Sequence, residues 1–209
     1  MTLDKNGELP VCMGMERSGS TLAWQMASRI FGSRLSKTHE YRQGTGPGLY
    51  TYRNPIEAFV SLVIRLDDVY PRSIAMSHAM ESIYLQAGVY RNLVEDSKNG
   101  RNIVFLKYED YYLHPGLLLS KISEDLDMKI TERAFDKILY ETSIDKNEKV
   151  SRGKNFGDID TETQLHGNHI HPISRGRPGF FIESYSRIDD LIKDERIIEL
   201  CSTFGYNLK

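Results

Sequence analysis

The sequence is poor in the residues that mark several kinds of protein. Its two cysteines, Cys12 and Cys201, lie near opposite ends and form no Cys-x-x-Cys arrangement. That excludes a disulfide framework and a thiolate zinc site, and reads as two buried free thiols in a reducing compartment. No stretch approaches the ~20 apolar residues of a membrane span. Met1 to Pro10 is polar and lacks the apolar segment of a signal peptide. Neither charge dominates, with 27 Lys and Arg against 29 Asp and Glu. Coating nucleic acid needs a clear basic excess and is excluded, whereas a local pocket for a small anion is not. No internal repeat, low-complexity tract or second domain is visible. Residues 1–209 are expected to form one domain, long enough to bury a sizeable core, soluble and cytoplasmic.

What is present is an alternation of short apolar runs and helical patterns. Val11 to Met15 reads as a buried strand. Leu22, Met26 and Ile30 give Thr21 to Phe31 a helical face, with Gly32 as its stop. Further strands are expected at Leu35 to His39, Leu49 to Arg53 and Asn102 to Lys107. Arg42 to Gly48, with three glycines and Pro47, is a loop. Asn54-Pro55 opens a helix to Leu66, with Asn54 as cap and Pro55 in the first helical position. Helices are also expected over Ser73 to Ser97, Pro115 to Leu126, Thr131 to Tyr140 and Ile188 to Phe204. Ser143 to Gly179 has few large apolar residues and reads as one long loop, mobile or ordered only by ligand. Strands alternating with helices imply a three-layer α/β fold with a mainly parallel central sheet flanked by helices.

The strongest local signal is Gly14-Met15-Glu16-Arg17-Ser18-Gly19-Ser20-Thr21, between a buried strand and a helix. Backbone N–H groups at a helix N-terminus form a ready anion site. Gly14, Gly19 and Thr21 fit the frame G-x-x-x-x-G-K-[ST] of nucleotide-triphosphate P-loops, but Ser20 occupies the lysine position. A P-loop kinase of a small metabolite is the alternative reading. It needs that lysine on the β/γ-phosphates, and it would use Asp110 as a magnesium ligand.

The loop resembles instead the 5′-phosphosulfate loop of sulfotransferases that use 3′-phosphoadenosine 5′-phosphosulfate (PAPS), whose pattern is close to P-[KR]-[ST]-G-[ST]-[ST]. Glu16 replaces the proline and Arg17 takes the basic position. Arg53-Asn54-Pro55-Ile56-Glu57-Ala58-Phe59-Val60-Ser61 resembles the family's 3′-phosphate segment, R-[ND]-P-x-[DE]-x-x-x-S. Lys37-Thr38-His39 resembles its K-x-H, and Tyr108-Glu109-Asp110 its Y-E-D. Thr142-Ser143-Ile144 is similar to its adenine-contacting T-S-F. Ser174-Arg175-Gly176-Arg177-Pro178-Gly179 is similar to its R-K-G-x-x-G loop, with Ser174 at the first arginine, so that Arg175 or Arg177 supplies the charge.

The resemblance implies the P-loop-like sulfotransferase fold and a compact bacterial-type enzyme of specialised metabolism. The implied reaction moves a sulfuryl group from PAPS to a hydroxyl, or less readily an amine, of a small-molecule acceptor, leaving PAP. It assigns catalysis to His39 as base, with Arg17 and Lys37. It assigns nucleotide binding to Arg17, Ser18, Gly19, Ser20, Thr21, Leu22, Arg53, Ser61, Tyr108, Thr142, Ser143, Arg175, Gly176 and Arg177. No metal, nucleic-acid or membrane partner is implied. The dimerisation signature of the animal enzymes is absent, leaving the oligomeric state open. Leu22 and Ile144 stand where the family has its adenine-stacking aromatics, so adenine is expected in an aliphatic slot or against a repositioned Trp24. His166, His169 and His171 have spacings a zinc site tolerates, but a solvated loop is the better reading.

Overall fold

The structure is a computed structural model that describes residues 8–155, 157–167, 169–171, 173–186 and 188–207. The polar N-terminal segment over residues 1–7 lies outside the described residues. Four strands, β1 (Val11–Gly14), β2 (Ser36–Thr38), β3 (Gly48–Tyr52) and β4 (Ile103–Lys107), form a parallel sheet in the order β2-β1-β3-β4. Ten helices are described: α1 (Ser20–Phe31), α2 (Pro55–Leu66), α3 (Arg72–Lys98), α4 (Tyr108–Tyr111), α5 (Pro115–Asp125), α6 (Glu132–Glu141), α7 (Ile144–Ser151), α8 (Phe180–Ser184), α9 (Ile188–Leu191) and α10 (Glu195–Thr203).

Strand periodicity divides the core into two layers. Met13, Tyr50 and Ile103 face a cluster built with α2, α3 and α10. Their neighbours Cys12, Leu49 and Val104 face a second cluster with α1, α5 and α6. Cys12 and Cys201 are free and buried. Among the described residues, no helix is long and apolar enough to cross a membrane.

Sheet order places the site. The chain leaves β1 for β2 on one side and returns to β3 on the other, so β1 and β3 flank a topological switch point. Open α/β sheets bind ligands beyond the strand ends at such a point. In this register Gly14 pairs with Thr51. The loop after β1 and Arg53 after β3 therefore emerge side by side.

Three features of the secondary structure depart from or add to the sequence reading. The stretch from Ser143 to Gly179 is not all loop, because α7 occupies its first turns. This helix docks through polar contacts: the buried Asn147 side chain donates to Gln25 Oε1 at 3.0 Å and to the Thr142 carbonyl at 3.2 Å. A search for apolar periodicity does not register such a helix. Short helices α4 and α8 were also unanticipated. Finally, the helix expected from Ile188 to Phe204 is broken into α9 and α10. Asp194 starts a new helix there, its side chain accepting from the Arg196 N–H, as an N-cap does.

Candidate functional site

The loop between β1 and α1 is fixed from beneath. The Met15 N–H donates to the Thr51 carbonyl at 2.9 Å. Ser18 Oγ donates to the Met15 carbonyl at 2.6 Å and lies 2.7 Å from Thr51 Oγ1. Close contact with β3 explains Gly14, where an added Cβ would stand 2.1 Å from Thr51 Oγ1. Ser18 is thus a support rather than a ligand contact. It is fully buried, and its amide already donates to the Met15 carbonyl at 3.3 Å. The anion donors are the amides that follow. Gly19 is the N-cap of α1, and Ser20 to Leu22 open its first turn, whose N–H groups have no intrahelical acceptor. Gly19 has φ 78, and a Cβ there would come within 2.8 Å of the Tyr108 ring.

Two cationic side chains, Arg17 and Arg53, meet beside this turn. Arg17 is half-buried, with Nε donating to Ser61 Oγ at 3.1 Å and Nη2 to the His169 carbonyl at 3.1 Å. Burial, followed by the nearby positive charges of Arg65 and Arg53, lowers its pKa to about 10. Arg53 donates from Nη1 to the Arg17 carbonyl and from Nη2 to Glu57 Oε2, at 3.1 and 3.0 Å. Its guanidinium lies 4.6 Å from the centre of the Tyr108 ring. Arg53 Nε is buried and has no hydrogen-bond partner among the described residues. A buried guanidinium N–H without an acceptor is costly, and Arg53 is one of the residues lining a cavity here. Glu57 holds Arg53 from behind and also accepts from the Ile182 N–H at 3.0 Å. Its pKa is raised because burial outweighs the attraction of Arg53.

These groups line a cavity of about 440 Å³, within the ~300–1,000 Å³ usual for ligand pockets. Arg17, Gly19, Thr21, Leu22, Arg53, Ser61, Tyr108, Thr142, Ser143, Arg175 and Gly176 all contribute to its wall, so most predicted nucleotide residues are brought together. Leu22, Leu139 and Ile144 form an aliphatic side. Trp24 is core instead, with its Nε1–H donating to the Leu35 carbonyl at 2.8 Å. Tyr108 closes the cavity edge, its hydroxyl donating to the Gly176 carbonyl at 2.9 Å. The two arginines of the C-terminal loop separate. Arg175 lines the cavity, ion-paired with Asp145 and Glu148. Arg177 is not among the lining residues and pairs with Glu183 at 3.1 Å. Asp110 is exposed and also outside the lining. Glu109 is structural, accepting from the Asn54 N–H and the Tyr206 hydroxyl.

A second cavity, about 270 Å³, adjoins the first, with Arg17, Gly19, Thr21 and His169 lining both. Lys37, His39 and Ser20 line the second. Lys37 Nζ donates to Thr21 Oγ1 at 2.7 Å. Burial, opposed by Cys12 and reinforced by Arg65, lowers its pKa to about 8. His39 Nδ1 lies 2.6 Å from the Gly14 carbonyl. A carbonyl only accepts, so Nδ1 carries the proton and Nε2 is left as the basic nitrogen.

Sequence reasoning missed the wall contributed by His166 and His169. They are not a solvated pair. His169 Nδ1 lies 2.8 Å from His166 Nε2, and the His169 carbonyl receives Arg17. Burial lowers the pKa of His166 to about 4 and that of His169 well below the usual value, so both are neutral at pH 7. Among the described residues no group of three or more His, Cys, Asp or Glu is arranged to hold a metal. No local sequence signal marks this wall, because long-range contacts create it.

No protein-family model matches the chain, and no curated protein matches it. Among solved structures it is similar to the crystal structure of mouse sulfotransferase SULT7A1 complexed with PAP. The TM-score is 0.66 at 16% identity, covering 93% of this chain and 83% of that one. The likeness establishes the fold class, a four-stranded parallel sheet flanked by helices, shared with a sulfotransferase.

Proposed function

We propose that this chain is a single-domain, PAPS-dependent sulfotransferase acting on a hydroxyl, or less readily an amine, of a small-molecule acceptor in specialised metabolism. The observation that carries the reading is the meeting of Arg17, Arg53 and Ser61 in one cavity at the switch point, joined through Arg17 to a second cavity holding Lys37 and His39. The fold shared with a PAP-bound sulfotransferase supports it. The kinase alternative loses both of its requirements: Ser20 stands in the lysine position, and Asp110 is off the cavity.

The residues fit the nucleotide. Arg53 Nε, without a hydrogen-bond partner among the described residues, and the first-turn amides of α1 are the donors an anion would use. Arg53 and Ser61, with Arg175 and Gly176 closing over them, would hold the 3′-phosphate. Gly19 to Thr21 and Arg17 would hold the 5′ end. Tyr108, Leu22, Thr142 and Ser143 would bound the adenosine. When bound, PAPS supplies a sulfuryl group whose bond to the 5′-phosphate oxygen breaks, with the electron pair leaving on PAP, as its bond to the acceptor oxygen forms.

The chain's own groups do the rest. His39 Nε2 takes the acceptor proton, its orientation fixed by the Nδ1–H bond to Gly14. Arg17 stands where the cavities join, placed to meet charge on the leaving oxygen. Preorganised donors of this kind are worth about 3 kcal/mol each. Lys37, held against Thr21, neutralises sulfuryl oxygens. Neutral His166 and His169 line the acceptor side without adding charge.

Incubation with radiolabelled PAPS and an acceptor panel tests the reading, with PAP titrated by calorimetry in parallel. We expect His39→Ala to bind PAP nearly as wild type does and to lose at least ~100-fold in turnover, the scale of a missing general base. Unchanged turnover removes His39 from the mechanism.

A further inference from the structure

The second cavity carries more positive charge than transfer to a neutral acceptor requires. Arg65 lines it, beside Arg17 and Lys37. Arg65 lies four residues beyond Ser61 on α2, which puts the two side chains on one face of the helix. Ser61 lines the first cavity and Arg65 the second, so α2 runs from one to the other. Among the described residues lining the second cavity, Glu16 is the one carboxylate, against the basic Arg17, Lys37 and Arg65. Arg17 and Lys37 have work at the sulfuryl group. Arg65 lines only the second of the two cavities, where the charge of Glu16 acts on it, and the transfer step as proposed does not use it.

We propose that Arg65 is a specificity-determining residue that binds an anionic group on the acceptor, so that the preferred acceptors are hydroxyl compounds bearing a carboxylate or a sulfate ester. This rests on the reading of the second cavity as the acceptor site. Two features favour it over a surface arginine that happens to line a cleft. The guanidinium sits in a partly desolvated wall, where an ionic hydrogen bond is stronger than in water. Its field also acts on this site: after burial, the charge of Arg65 helps hold down the pKa values of both Arg17 and Lys37. An acceptor anion seated there relieves that repulsion, so the cations favour a charged ligand together. The remaining lining residues, Ile159 and Gln164, offer a small apolar surface and an amide to the rest of the acceptor.

The test uses matched probes: 4-hydroxybenzoate against its methyl ester, and methyl glucuronide against methyl glucoside. Each is titrated by calorimetry into the PAP-loaded protein and its Arg65→Gln and Arg65→Lys variants, with PAP affinity as the control for folding. At least one acid is expected to bind wild type about tenfold or more tighter than its neutral twin, the scale of one charge-assisted hydrogen bond. Arg65→Gln is expected to erase the difference, and Arg65→Lys to keep most of it. The inference is overturned if neutral twins bind as well as the acids, if neither acid binds, or if Arg65→Gln retains the preference. PAP is titrated first. If it does not bind, the nucleotide reading fails by itself, and the acid–neutral comparison on the ligand-free protein still decides the inference.

Discussion

Arg53 offers the sharpest separation of a binding role from a folding role, because its pair with Glu57 is almost wholly buried. The side chains are 2% and 1% exposed, with a 3.0 Å contact. Removing one partner of such a pair leaves a buried, uncompensated charge and costs about 3–5 kcal/mol. For a domain of this size each kcal/mol moves Tm by roughly 2–4 °C, so Arg53→Met alone should melt roughly 6–20 °C lower. Loss of nucleotide binding in that variant would mean little. Glu57 shows how to remove the ambiguity. Its raised pKa says that burial already outweighs what Arg53 returns, so the pair is poor value for stability alone. Replacing both members by neutral groups is often neutral or even stabilising. In Arg53→Met/Glu57→Gln the glutamine carbonyl keeps the acceptor for the Ile182 N–H, and most of the lost Tm should return. PAP at a hundredfold excess over its Kd stabilises wild type by about 2.7 kcal/mol, a shift of roughly 5–11 °C. The double variant should show little or none of that shift at the same concentration. Differential scanning calorimetry with and without PAP reads both numbers. A double variant that melts near wild type and keeps the full PAP shift refutes the 3′-phosphate role of Arg53.

Two further outcomes are expected. With its pKa lowered to about 8, Lys37 loses its charge as pH rises through that value, so turnover should fall above about pH 8. Lys37→Arg should move that limb to higher pH, and an unmoved limb in the pH–rate profile dissociates it from Lys37. The same shift means the folded state binds fewer protons than the unfolded one from about pH 8 up to the ordinary 10.5, so this group's contribution to stability rises with pH across that window. Gly19→Ala meets both a left-handed backbone and the Tyr108 ring at 2.8 Å. It should weaken PAP binding at least tenfold through a displaced loop, at a cost of about 1–2 kcal/mol for the conformation itself. Wild-type affinity in calorimetry would show that the first turn of α1 is not the phosphate cradle.

The half of the site proposed to bind nucleotide is built by short-range geometry, which is why its residues could be picked out together. A buried strand, a glycine with positive φ and a helix start follow one another within the segment from Val11 to Thr21. Asn54-Pro55 declares the next helix start, and Ser61 falls on that helix by counting. The strand register then does what the sequence could not say, setting Gly14 beside Thr51 and so bringing Arg53 to the Arg17 carbonyl. Reading failed where polar contacts replace apolar periodicity. Helix α7 is anchored by Asn147 and Gln25. Ser18 looks like a phosphate ligand in the linear motif, yet its hydroxyl is used up on Met15 and Thr51. Arg175 and Arg177 were interchangeable on paper, and are separated by which acid each one meets.

The half proposed to take the acceptor follows a different logic. Its far wall, with Ile159, Gln164, His166 and His169, is tied to the phosphate loop by Arg17 donating to the His169 carbonyl and to helix α1 by Gln25 donating to the Thr163 carbonyl at 2.8 Å. Neither contact uses an atom peculiar to the residue type that accepts it, since both acceptors are backbone. The wall is therefore free to change its side chains while Arg17 stays fixed by Ser61 and His169. On the proposed reading, donor-side residues cannot vary in the same way, because Arg53 and Ser61 would act through their side chains on a ligand of constant shape. On that reading, the cavity that would select the acceptor can be altered at Arg65, His166 or Gln164 without removing a partner from the hydrogen bonds of Arg17 to Ser61 and His169 or of Arg53 to Arg17 and Glu57.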